Sequence, residues 1–458
     1  MPEEITTNHL TSGSRQGTAF HADVASPGAS KASANAFCQG PALAVPNVAA
    51  KSGVLTPEVS GISHHAICET SSSNLRARID AELRALRDQS QFRSLDIPRG
   101  INLCSNDYLG LSSDPRLKQA VLAAVASSPR LASTGSRLLS GNSFDWESIE
   151  REFADFVGAQ SALYFSSGYA ANVGLLSSIL RPDDIVFSDA LNHASLIDGI
   201  RLSRARKVIY PHCDLAFLER ALQENANTPG ARLIVTEGVF SMEGDLAPLE
   251  ALVDLASRRD ADLIFDEAHA IGVFGSEGRG IVAGLPDRSR ILAAVYPCGK
   301  ALASCGAFIC GSSSVREHLV NHARSFIFST APPPYIAHQI RAALALVREA
   351  DDRRAHLRSI SSVLRTALSE AGLRCGSGEA PIIPVILGSN ESALRVASEL
   401  QSAGFAVKAI RPPTVPAGAA RIRLSLTSEI SLDEIHRLAQ VLVNAASSAS
   451  RSASVAHA

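Results

Sequence analysis

The residue with the clearest chemical potential is Lys300, which lies among small residues in the segment 297–304 (Pro-Cys-Gly-Lys-Ala-Leu-Ala-Ser). A lysine that is removed from water loses part of its proton affinity, and its amine becomes a nucleophile toward carbonyl groups. Upstream, an apolar run that ends at Phe265 is followed directly by Asp266. An acid in that place must be solvated, paired or functional, because burying a bare charge is costly. The two residues predict a site that forms a Schiff base at Lys300 and uses Asp266 as a fixed negative charge.

Two further segments follow predicted strands, where α/β sheets form ligand crevices. Residues 166–172 (Ser-Ser-Gly-Tyr-Ala-Ala-Asn) precede a predicted helix, so their backbone N–H groups and the helix N-terminus would face an anion. His193, within 192–195 (Asn-His-Ala-Ser), offers an imidazole. Taken alone, a Ser-Gly turn or a single histidine is more often structural. Their order along the chain, before Asp266 and Lys300, favours one shared site.

The composition divides the chain into five parts. Residues 1–72 are rich in Ser, Ala, Gly, Thr and Pro without a helical or strand period, which predicts a disordered leader. The other parts expected are an N-terminal helix and arm (73–111), a large α/β domain (112–345), a small C-terminal α+β domain (346–445) and a frayed Ser/Ala-rich tail (446–458). The leader begins without a basic region or a convincing apolar segment, so we expect no secretory signal and a cytoplasmic location.

Strands and helices alternate through the middle of the chain. Short, nearly continuous apolar runs at 185–187, 233–236 and 263–265 suit strands that are buried on both faces of a parallel sheet. The alternation predicts an α/β fold with a mainly parallel sheet in the large domain. Ahead of it, an apolar stripe at steps of three and four residues predicts a helix. The stripe consists of Leu75, Ile79, Leu83 and Leu86.

The overall composition excludes several classes of partner. The 458 residues are 46% hydrophobic and carry a formal net charge of −2, so neither nucleic acid nor an anionic membrane surface is expected to bind. No run of about 18 apolar residues predicts a membrane span. The eight cysteines form no C-x-x-C pair and no metal-ligand spacing, so we expect no metal site.

The chain resembles the α-oxoamine synthase family of fold-type-I enzymes, which use pyridoxal 5′-phosphate (PLP). The resemblance covers roughly residues 75–445 and includes the segments around Asp266 and Lys300. It implies the fold-type-I architecture, with a mainly parallel sheet in the large domain and a smaller α+β domain. Four longer matching segments are 105–111 (Ser-Asn-Asp-Tyr-Leu-Gly-Leu), 192–196 (Asn-His-Ala-Ser-Leu), 236–245 (Thr-Glu-Gly-Val-Phe-Ser-Met-Glu-Gly-Asp) and 411–418 (Arg-Pro-Pro-Thr-Val-Pro-Ala-Gly).

The resemblance implies PLP as the cofactor and a role for each of several residues. Lys300 would bind the cofactor aldehyde and later act as the base at the substrate Cα. Asp266 would pair with the pyridinium N–H, and His193 would stack on the ring and contact the substrate. The other cofactor contacts that it implies are His269 at the ring oxygen, Ser241, the backbone of Gly168 and Tyr169 at the phosphate, and Thr330 from a neighbouring subunit. A contact from a second subunit implies a homodimer with shared active sites.

The resemblance also implies the substrates. Arg423 would clamp the amino-acid carboxylate, with Asn106 nearby, because a guanidinium matches a carboxylate in a bidentate fork. Arg411, ahead of Pro-Pro-Thr-Val-Pro, is typical of the biotin-pathway branch of the family. Together with Thr414 and Arg93, it would contact the distal carboxylate or the chain of a pimeloyl group. The expected reaction joins L-alanine to pimeloyl-CoA or pimeloyl-acyl carrier protein and yields 8-amino-7-oxononanoate and CO₂.

The chain departs from the family pattern at two places. Three residues before the lysine, the family usually has a threonine whose hydroxyl binds phosphate. Here Pro297 offers neither a hydroxyl nor an N–H, which predicts weaker PLP binding unless Ser304 or a water compensates. Residues 144–146 (Phe-Asp-Trp) stand where a helix of the family usually starts with histidine, and Trp146 would line the cleft or pack.

Other functions remain open at this point. One is another α-oxoamine synthase, of the 2-amino-3-oxobutyrate ligase, 5-aminolaevulinate synthase or long-chain acyl type. A second is a PLP aminotransferase on the same fold, and a third is a non-catalytic subunit of that fold. Fold alone does not separate them, because it hosts many chemistries.

Overall fold

The computed structural model describes residues 74–455, with side chains to residue 449. The leader predicted for residues 1–72 lies outside the described residues. Within the described part of the chain, no helix combines the length and the hydropathy that a membrane span needs. The cytoplasmic location expected from the sequence stays a prediction.

The described residues contain twelve strands and thirteen α-helices. The strands are β1 (Ile101–Asn102), β2 (Ser161–Phe165), β3 (Ile185–Asp189), β4 (Arg206–Tyr210), β5 (Arg232–Glu237), β6 (Asp262–Asp266), β7 (Ile291–Pro297), β8 (Ala307–Gly311), β9 (Ile382–Gly388), β10 (Phe405–Ala406), β11 (Ala409–Ile410) and β12 (Ala420–Ser425). The helices are α1 (Leu75–Asp88), α2 (Pro115–Ser127), α3 (Phe144–Val157), α4 (Gly168–Ile179), α5 (Ala194–Ser203), α6 (Leu215–Glu224), α7 (Leu249–Arg259), α8 (Ser313–His322), α9 (Arg324–Ile327), α10 (Tyr335–Arg348), α11 (Asp351–Glu370), α12 (Asn390–Ser402) and α13 (Leu432–Val455).

A seven-stranded sheet in the order β2-β8-β7-β6-β5-β3-β4 forms the centre of the large α/β part. Strands β3 to β7 are parallel. Strand β8 runs antiparallel to both of its neighbours, β2 and β7. The carboxyl ends of β5, β6 and β7 therefore meet at one edge, where parallel sheets bind ligands. This sheet confirms the predicted α/β class.

Both faces of the sheet are covered, which explains the nearly continuous apolar runs. Phe265 and Leu263 of β6 pack into one hydrophobic core, and Ile264 between them packs into the core on the opposite face. All three side chains are 0% exposed. Burying a side chain of this size contributes about 1.5–3 kcal/mol to folding, so the two cores hold the strand ends rigidly.

A second, antiparallel sheet in the order β11-β12-β9 forms the smaller part, and helices α11, α12 and α13 contribute to its core. The N-terminal arm joins this part, because β1 pairs in parallel with β10 through Ile101 opposite Phe405. The segment after β1 is thereby fixed beside β12, where Ser425 donates its backbone N–H to the carbonyl of Leu103 (2.9 Å).

The chain passes from the large core to the small core between α10 and α11. Val347 packs in the large core and Leu357 in the small one, a few residues beyond the boundary expected after residue 345. The expected frayed tail is wrong for its first residues, because α13 continues to Val455 and Ala449 is only 2% exposed. Alanine favours a helix at no cost in side-chain entropy, and here alanines also pack on the small core.

Helix α1 forms at the predicted place, but its apolar stripe lies on the surface of the single chain. Leu75, Ile79 and Leu83 are 57%, 46% and 36% exposed, and no residue of the helix is buried.

Candidate active site

A cavity of about 550 Å³ opens at the carboxyl ends of the central strands, between the two sheets. Strands β5 to β7, the start of α4, the turn before β8 and strand β12 all contribute side chains or backbone to its wall. It brings together many of the residues that the sequence predicts for the site. These are Asn106, Gly168, Tyr169, His193, Ser241, Asp266, His269, Lys300 and Arg423.

Lys300 lies in the tight turn that connects β7 to β8. Its carbonyl accepts a hydrogen bond from the backbone N–H of Ala303 (2.9 Å), which adopts a left-handed φ of 43°. Burial lowers the pKa of the Lys300 amine, and the carboxylate of Asp266 partly opposes that shift. A buried amine with a lowered pKa is a usable nucleophile and base near neutral pH.

Asp266 ends β6 and is 4% exposed, with both carboxylate oxygens engaged. Its Oδ2 accepts from Nδ2 of Asn172 (2.7 Å), and its Oδ1 accepts from the backbone N–H of Ala268 (2.9 Å). These bonds fix the orientation of the carboxylate at the wall of the cavity. A fixed buried carboxylate suits a cationic N–H of a bound ring.

A hydrogen-bonded chain leads from Asp266 to His193. Nδ2 of Asn172 also donates to Oγ of Ser195 (2.9 Å), and that hydroxyl contacts Nδ1 of His193 (2.8 Å). Burial lowers the pKa of His193, Asp266 opposes the shift and Lys300 reinforces it. The imidazole is therefore held in one orientation at the cavity wall. Sequence reasoning missed the roles of Asn172 and Ser195, although both lie inside the segments that it singled out.

A second buried network supports His269. Its Nδ1 lies 2.6 Å from Oη of Tyr108, and that hydroxyl lies 3.2 Å from Oδ1 of Asn106. Burial and the charge of Lys300 hold the pKa of His269 well below its usual value, while burial raises the pKa of Tyr108 to about 12. Both groups are therefore neutral at pH 7, and the contact between them holds the ring of His269 in one orientation. No local sequence pattern indicates this role of Tyr108.

Arg423 joins the two sheets at the cavity. It lies on β12, is 8% exposed, and donates from Nε to the carbonyl of Ser241 (2.6 Å) and from Nη2 to Oδ1 of Asn106 (3.1 Å). These bonds orient the planar guanidinium of a residue that lines the cavity. Such a group matches a carboxylate, as expected for the substrate clamp.

The start of α4 forms the opposite end of the cavity. Ser167 caps the helix, because its Oγ accepts from the N–H of Ala170 (3.0 Å). A Cβ on Gly168 would lie 2.9 Å from Cγ of Pro297, so the glycine lets the two segments approach. Bare backbone N–H groups at a helix N-terminus are a binding site for an anion such as a phosphate group.

Thr330 does not line the cavity of its own chain. It is exposed and forms an isolated bridge with Ser136. Trp146 also lies outside the cavity, because it is 0% exposed and stacks on Tyr164 with ring centroids 4.4 Å apart. Of the two roles open for Trp146, packing is therefore the one observed.

Arg93, Arg411 and Thr414 form a separate cluster outside the cavity. Nη2 of Arg93 donates to Oγ1 of Thr414 (3.2 Å). The guanidinium of Arg411 donates to the backbone carbonyls of Ser90 and, at 3.3 Å, of Phe92. These bonds attach the N-terminal arm to the loop that follows β11.

The donor set of the cavity fits PLP. Asn172 Oδ1, Glu237 Oε1 and Ser304 Oγ are buried and have no hydrogen-bond partner among the described residues, and all three residues line the cavity. Burial and the nearby Asp266 raise the pKa of Glu237 well above its usual value, which favours the protonated form of the carboxyl that can donate a hydrogen bond. A nucleophilic amine, a fixed carboxylate and an anion site at a helix N-terminus match an aldehyde-bearing pyridine phosphate.

Comparison with known proteins agrees with this geometry. The family model for aminotransferase classes I and II matches residues 98–442. The 8-amino-7-oxononanoate synthase of Azoarcus sp. is 45% identical over 339 residues, which cover 74% of this chain and 86% of that protein. A high-resolution serine palmitoyltransferase structure with PLP has a TM-score of 0.76 and 28% identity, and covers 82% of this chain and 99% of that one.

A solved 8-amino-7-oxononanoate synthase from Francisella tularensis has a TM-score of 0.66 and 31% identity, and covers 75% of this chain and 97% of that one. Together with the relatives above, this structure confirms the resemblance to α-oxoamine synthases that the sequence motifs indicate. The chain belongs to the aminotransferase class I and II family.

Proposed function

We propose that the protein is a PLP-dependent acyltransferase of biotin biosynthesis. It condenses L-alanine with a pimeloyl thioester and yields 8-amino-7-oxononanoate, CO₂ and a free thiol. In net terms, the bond from Cα to the carboxylate and the C–S bond break, one C–C bond forms, and the thiol takes up a proton. The observation that carries the proposal is that Lys300, Asp266 and Arg423 line one cavity. The chain that forms this cavity is 45% identical, over 339 residues, to an 8-amino-7-oxononanoate synthase.

PLP, when bound, supplies an electron sink for the carbon that carries the amino group of the substrate. Lys300 would hold its aldehyde, and Asp266 would accept the N–H of its ring. His193 and His269 would contact the ring, and the backbone at Gly168 would bind the phosphate. Each assignment uses a residue at the cavity wall whose chemistry suits the group that it would contact.

Lys300 and Arg423 would act on the amino acid. The guanidinium of Arg423 would bind the carboxylate of alanine, because Asn106 and Ser241 already fix its plane. Nζ of Lys300 would then take the proton from Cα, since burial lowers the pKa of that amine. Burial of both groups also keeps water away from the reacting carbon.

The acyl chain needs a cation at its far end, because a pimeloyl group carries a second carboxylate. Arg93 and Arg411, with Thr414, are the groups proposed for that end. Burial and the neighbouring charge of Arg93 lower the pKa of Arg411, and an incoming carboxylate would relieve that repulsion. Other α-oxoamine synthases that use monocarboxylic acyl groups have no need for such a pair.

The test is product formation from alanine, glycine or serine with pimeloyl, acetyl, succinyl or palmitoyl thioesters. Each acyl group is supplied on coenzyme A and on acyl carrier protein, which also decides the natural carrier. We expect 8-amino-7-oxononanoate from alanine and a pimeloyl thioester only, and none from a Lys300→Ala variant. Activity restricted to glycine with acetyl or succinyl thioester, or to serine with palmitoyl thioester, contradicts the substrate assignment.

The spectrum of the cofactor bound to the same protein distinguishes the proposed activity from an aminotransferase and from a non-catalytic subunit. An aminotransferase would convert its cofactor fully to the pyridoxamine form with one amino acid and no thioester. A non-catalytic subunit would show no visible band that borohydride fixes at position 300. We expect a borohydride-fixed cofactor on Lys300 and no such full conversion.

We also propose that the protein is a homodimer with shared sites, supported by a surface of exposed apolar side chains near Thr330. Leu139, Phe144 and Phe328 are 84%, 76% and 71% exposed. The bridge between Ser136 and Thr330 brings the two segments that carry this surface together. A second copy would bury these side chains and receive Thr330 at its phosphate site.

Analytical ultracentrifugation tests this assembly. We expect a dimer for the parent and a monomer for a Leu139→Glu/Phe328→Glu variant, with weaker PLP binding in the monomer. The matched control is Leu202→Glu, which replaces a leucine that is 62% exposed on α5. A monomeric parent, or a double variant that stays dimeric, contradicts the proposed interface.

A further inference from the structure

We propose that the hydroxyl group of Ser304 donates a hydrogen bond to the phosphate group of PLP. This inference rests on the PLP-dependent function proposed above. The hydroxyl of Ser304 would provide the phosphate with a side-chain hydrogen-bond donor, which Pro297 cannot provide because proline has neither a hydroxyl nor a backbone N–H.

The strand order brings Ser304 to the anion end of the cavity. Strand β8 lies between β2 and β7 in the sheet, and the turn 304–306 leads directly into β8. The anion-binding segment 166–169 follows β2, and Pro297 ends β7. The turn that carries Ser304 is therefore flanked by the helix N-terminus on one side and by Pro297 on the other.

Backbone hydrogen bonds fix this turn. The N–H of Ser304 donates to the carbonyl of Cys298 (3.0 Å), and the N–H of Cys298 donates to the carbonyl of Gly306 (2.9 Å). Oη of Tyr164 donates to the carbonyl of Cys305 (2.8 Å). With its backbone held at three points, the side chain of Ser304 keeps its place at the cavity wall.

The hydroxyl of Ser304 is buried without a partner among the described residues. A buried hydroxyl that makes no hydrogen bond costs about 1–3 kcal/mol, so natural structures nearly always satisfy it. Because Ser304 lines the cavity, a ligand that fills the cavity is the available partner. Among the groups of PLP, the phosphate is the strong acceptor that suits the adjoining helix N-terminus.

The other hydroxyl groups near this end differ from that of Ser304, because Ser166 is exposed and the hydroxyl oxygens of the two remaining serines already take part in hydrogen bonds. Ser167 accepts from the backbone of α4 (3.0 Å), and Ser195 bonds both Asn172 and His193. Pro297 presents only its ring, whose Cγ lies 2.9 Å from the position of a Cβ on Gly168. Ser304 thus carries the buried hydroxyl at this end of the cavity that has no partner among the described residues.

The experiment measures binding of PLP and of pyridoxal, which lacks the phosphate, to the apoenzyme by calorimetric titration. For Ser304→Ala we expect PLP to bind roughly ten- to a hundredfold more weakly, the loss expected for a hydrogen bond to a charged group. Pyridoxal affinity should stay unchanged. The preference for PLP over pyridoxal therefore falls by the same factor, which a general distortion of the site would not produce.

The controls separate the possible failures. Ser178→Ala removes a hydroxyl at the far end of α4, where it donates to the carbonyl of Leu175 (3.1 Å), and should leave both affinities unchanged. If the parent binds PLP but Ser304→Ala binds PLP as tightly, or loses PLP and pyridoxal equally, the inference is wrong. If the parent binds neither ligand, the proposed function itself fails.

Discussion

Arg423 donates from Nε to the carbonyl oxygen of Ser241 at 2.6 Å, across the gap between the small and large sheets. The guanidinium that would clamp the substrate is therefore oriented by the loop that follows β5. A change in the distance between the two sheets would therefore alter the proposed substrate site directly.

We expect Arg423→Lys to raise the KM for alanine roughly ten- to a hundredfold, with a smaller fall in kcat. The ammonium group of lysine keeps the positive charge. It lacks the planar set of N–H donors with which the guanidinium can bind Ser241, Asn106 and a carboxylate at the same time. Steady-state kinetics with varied alanine measure the effect. Arg421→Lys is the matched control, because Arg421 lies on the same strand and pairs with Glu243 (2.9 Å) outside the cavity wall. Equal KM values for the two variants would contradict the clamp.

Tyr108→Phe removes the hydroxyl that meets Nδ1 of His269 at 2.6 Å. Because that nitrogen is buried, we expect a loss of about 1–3 kcal/mol in stability and roughly a fivefold fall in kcat. The absorption spectrum of the holoenzyme should also shift, since His269 would contact the ring oxygen of the cofactor. Tyr210→Phe, which alters another buried tyrosine outside the cavity, should leave the spectrum unchanged. An unaltered spectrum in Tyr108→Phe would contradict the proposal that Tyr108 acts on the cofactor through His269.

Glu237→Gln tests whether the buried carboxyl of Glu237 makes the stability of the protein depend on pH. Burial, reinforced by Asp266, raises the folded-state pKa of Glu237 well above its usual value. The stability linked to its proton is therefore fully present below about pH 4.5 and is lost as the pH rises through the folded-state pKa. We expect the Tm of Glu237→Gln to match the parent at pH 4.5 and to exceed it increasingly toward pH 9. The exposed Glu250→Gln should show no such trend, and a constant difference across this range would contradict the reasoning.

His212 connects the loop after β5 to the end of β3. Its Nδ1 contacts Oδ1 of Asp189 (3.0 Å) and its Nε2 contacts Oδ2 of Asp245 (2.8 Å). Burial opposes the charge, but these hydrogen bonds raise the pKa of His212 to about 12. The ligand atoms of Cys213, Asp189 and His212 lie within 4.8 Å of one another, and both imidazole nitrogens of His212 are engaged by carboxylates.

We therefore expect His212→Gln to lower stability by about 1–3 kcal/mol at pH 6. The contribution of the charged imidazole is full below about pH 6.5 and is lost as the pH rises toward 12. The difference between parent and variant should thus shrink from pH 6 to pH 10, as chemical denaturation measures. The variant should also raise the KM for alanine, because the same loop carries the carbonyl of Ser241. A difference in stability between parent and variant that grows with pH would contradict a positively charged imidazole at His212.

Pro297→Thr adds a hydroxyl beside the start of α4. We expect PLP to bind severalfold more tightly, because phosphate gains a donor that proline cannot offer. Equilibrium dialysis of the apoenzyme with PLP measures the change. Equal affinity for parent and variant would contradict the sequence-based expectation that Pro297 weakens the phosphate site.

The sequence predicts elements and strand-end residues better than contacts between distant segments. The run 263–265 reveals a strand buried on both faces, and a lysine and an aspartate after such strands meet because parallel strands end at one edge. The contact of Tyr108 with His269 and the unpaired hydroxyl of Ser304 depend on how separate segments pack, which no local pattern encodes. Arg93, Arg411 and Thr414 do cluster, but they attach the arm rather than line the cavity.

The antiparallel β8 between β2 and β7 also constrains how the chain is completed during synthesis. Within residues 74–455, strand β2 lies at the edge of the sheet and has β8, made about 150 residues later, as its only neighbour. Until the ribosome has released residues 307–311, the apolar side chains of β2 lack that neighbour and form an exposed edge prone to aggregation. The proposed phosphate site includes the segment after β2 and the turn before β8, so a nascent chain would not gain protection from a bound cofactor before most of the large part has emerged.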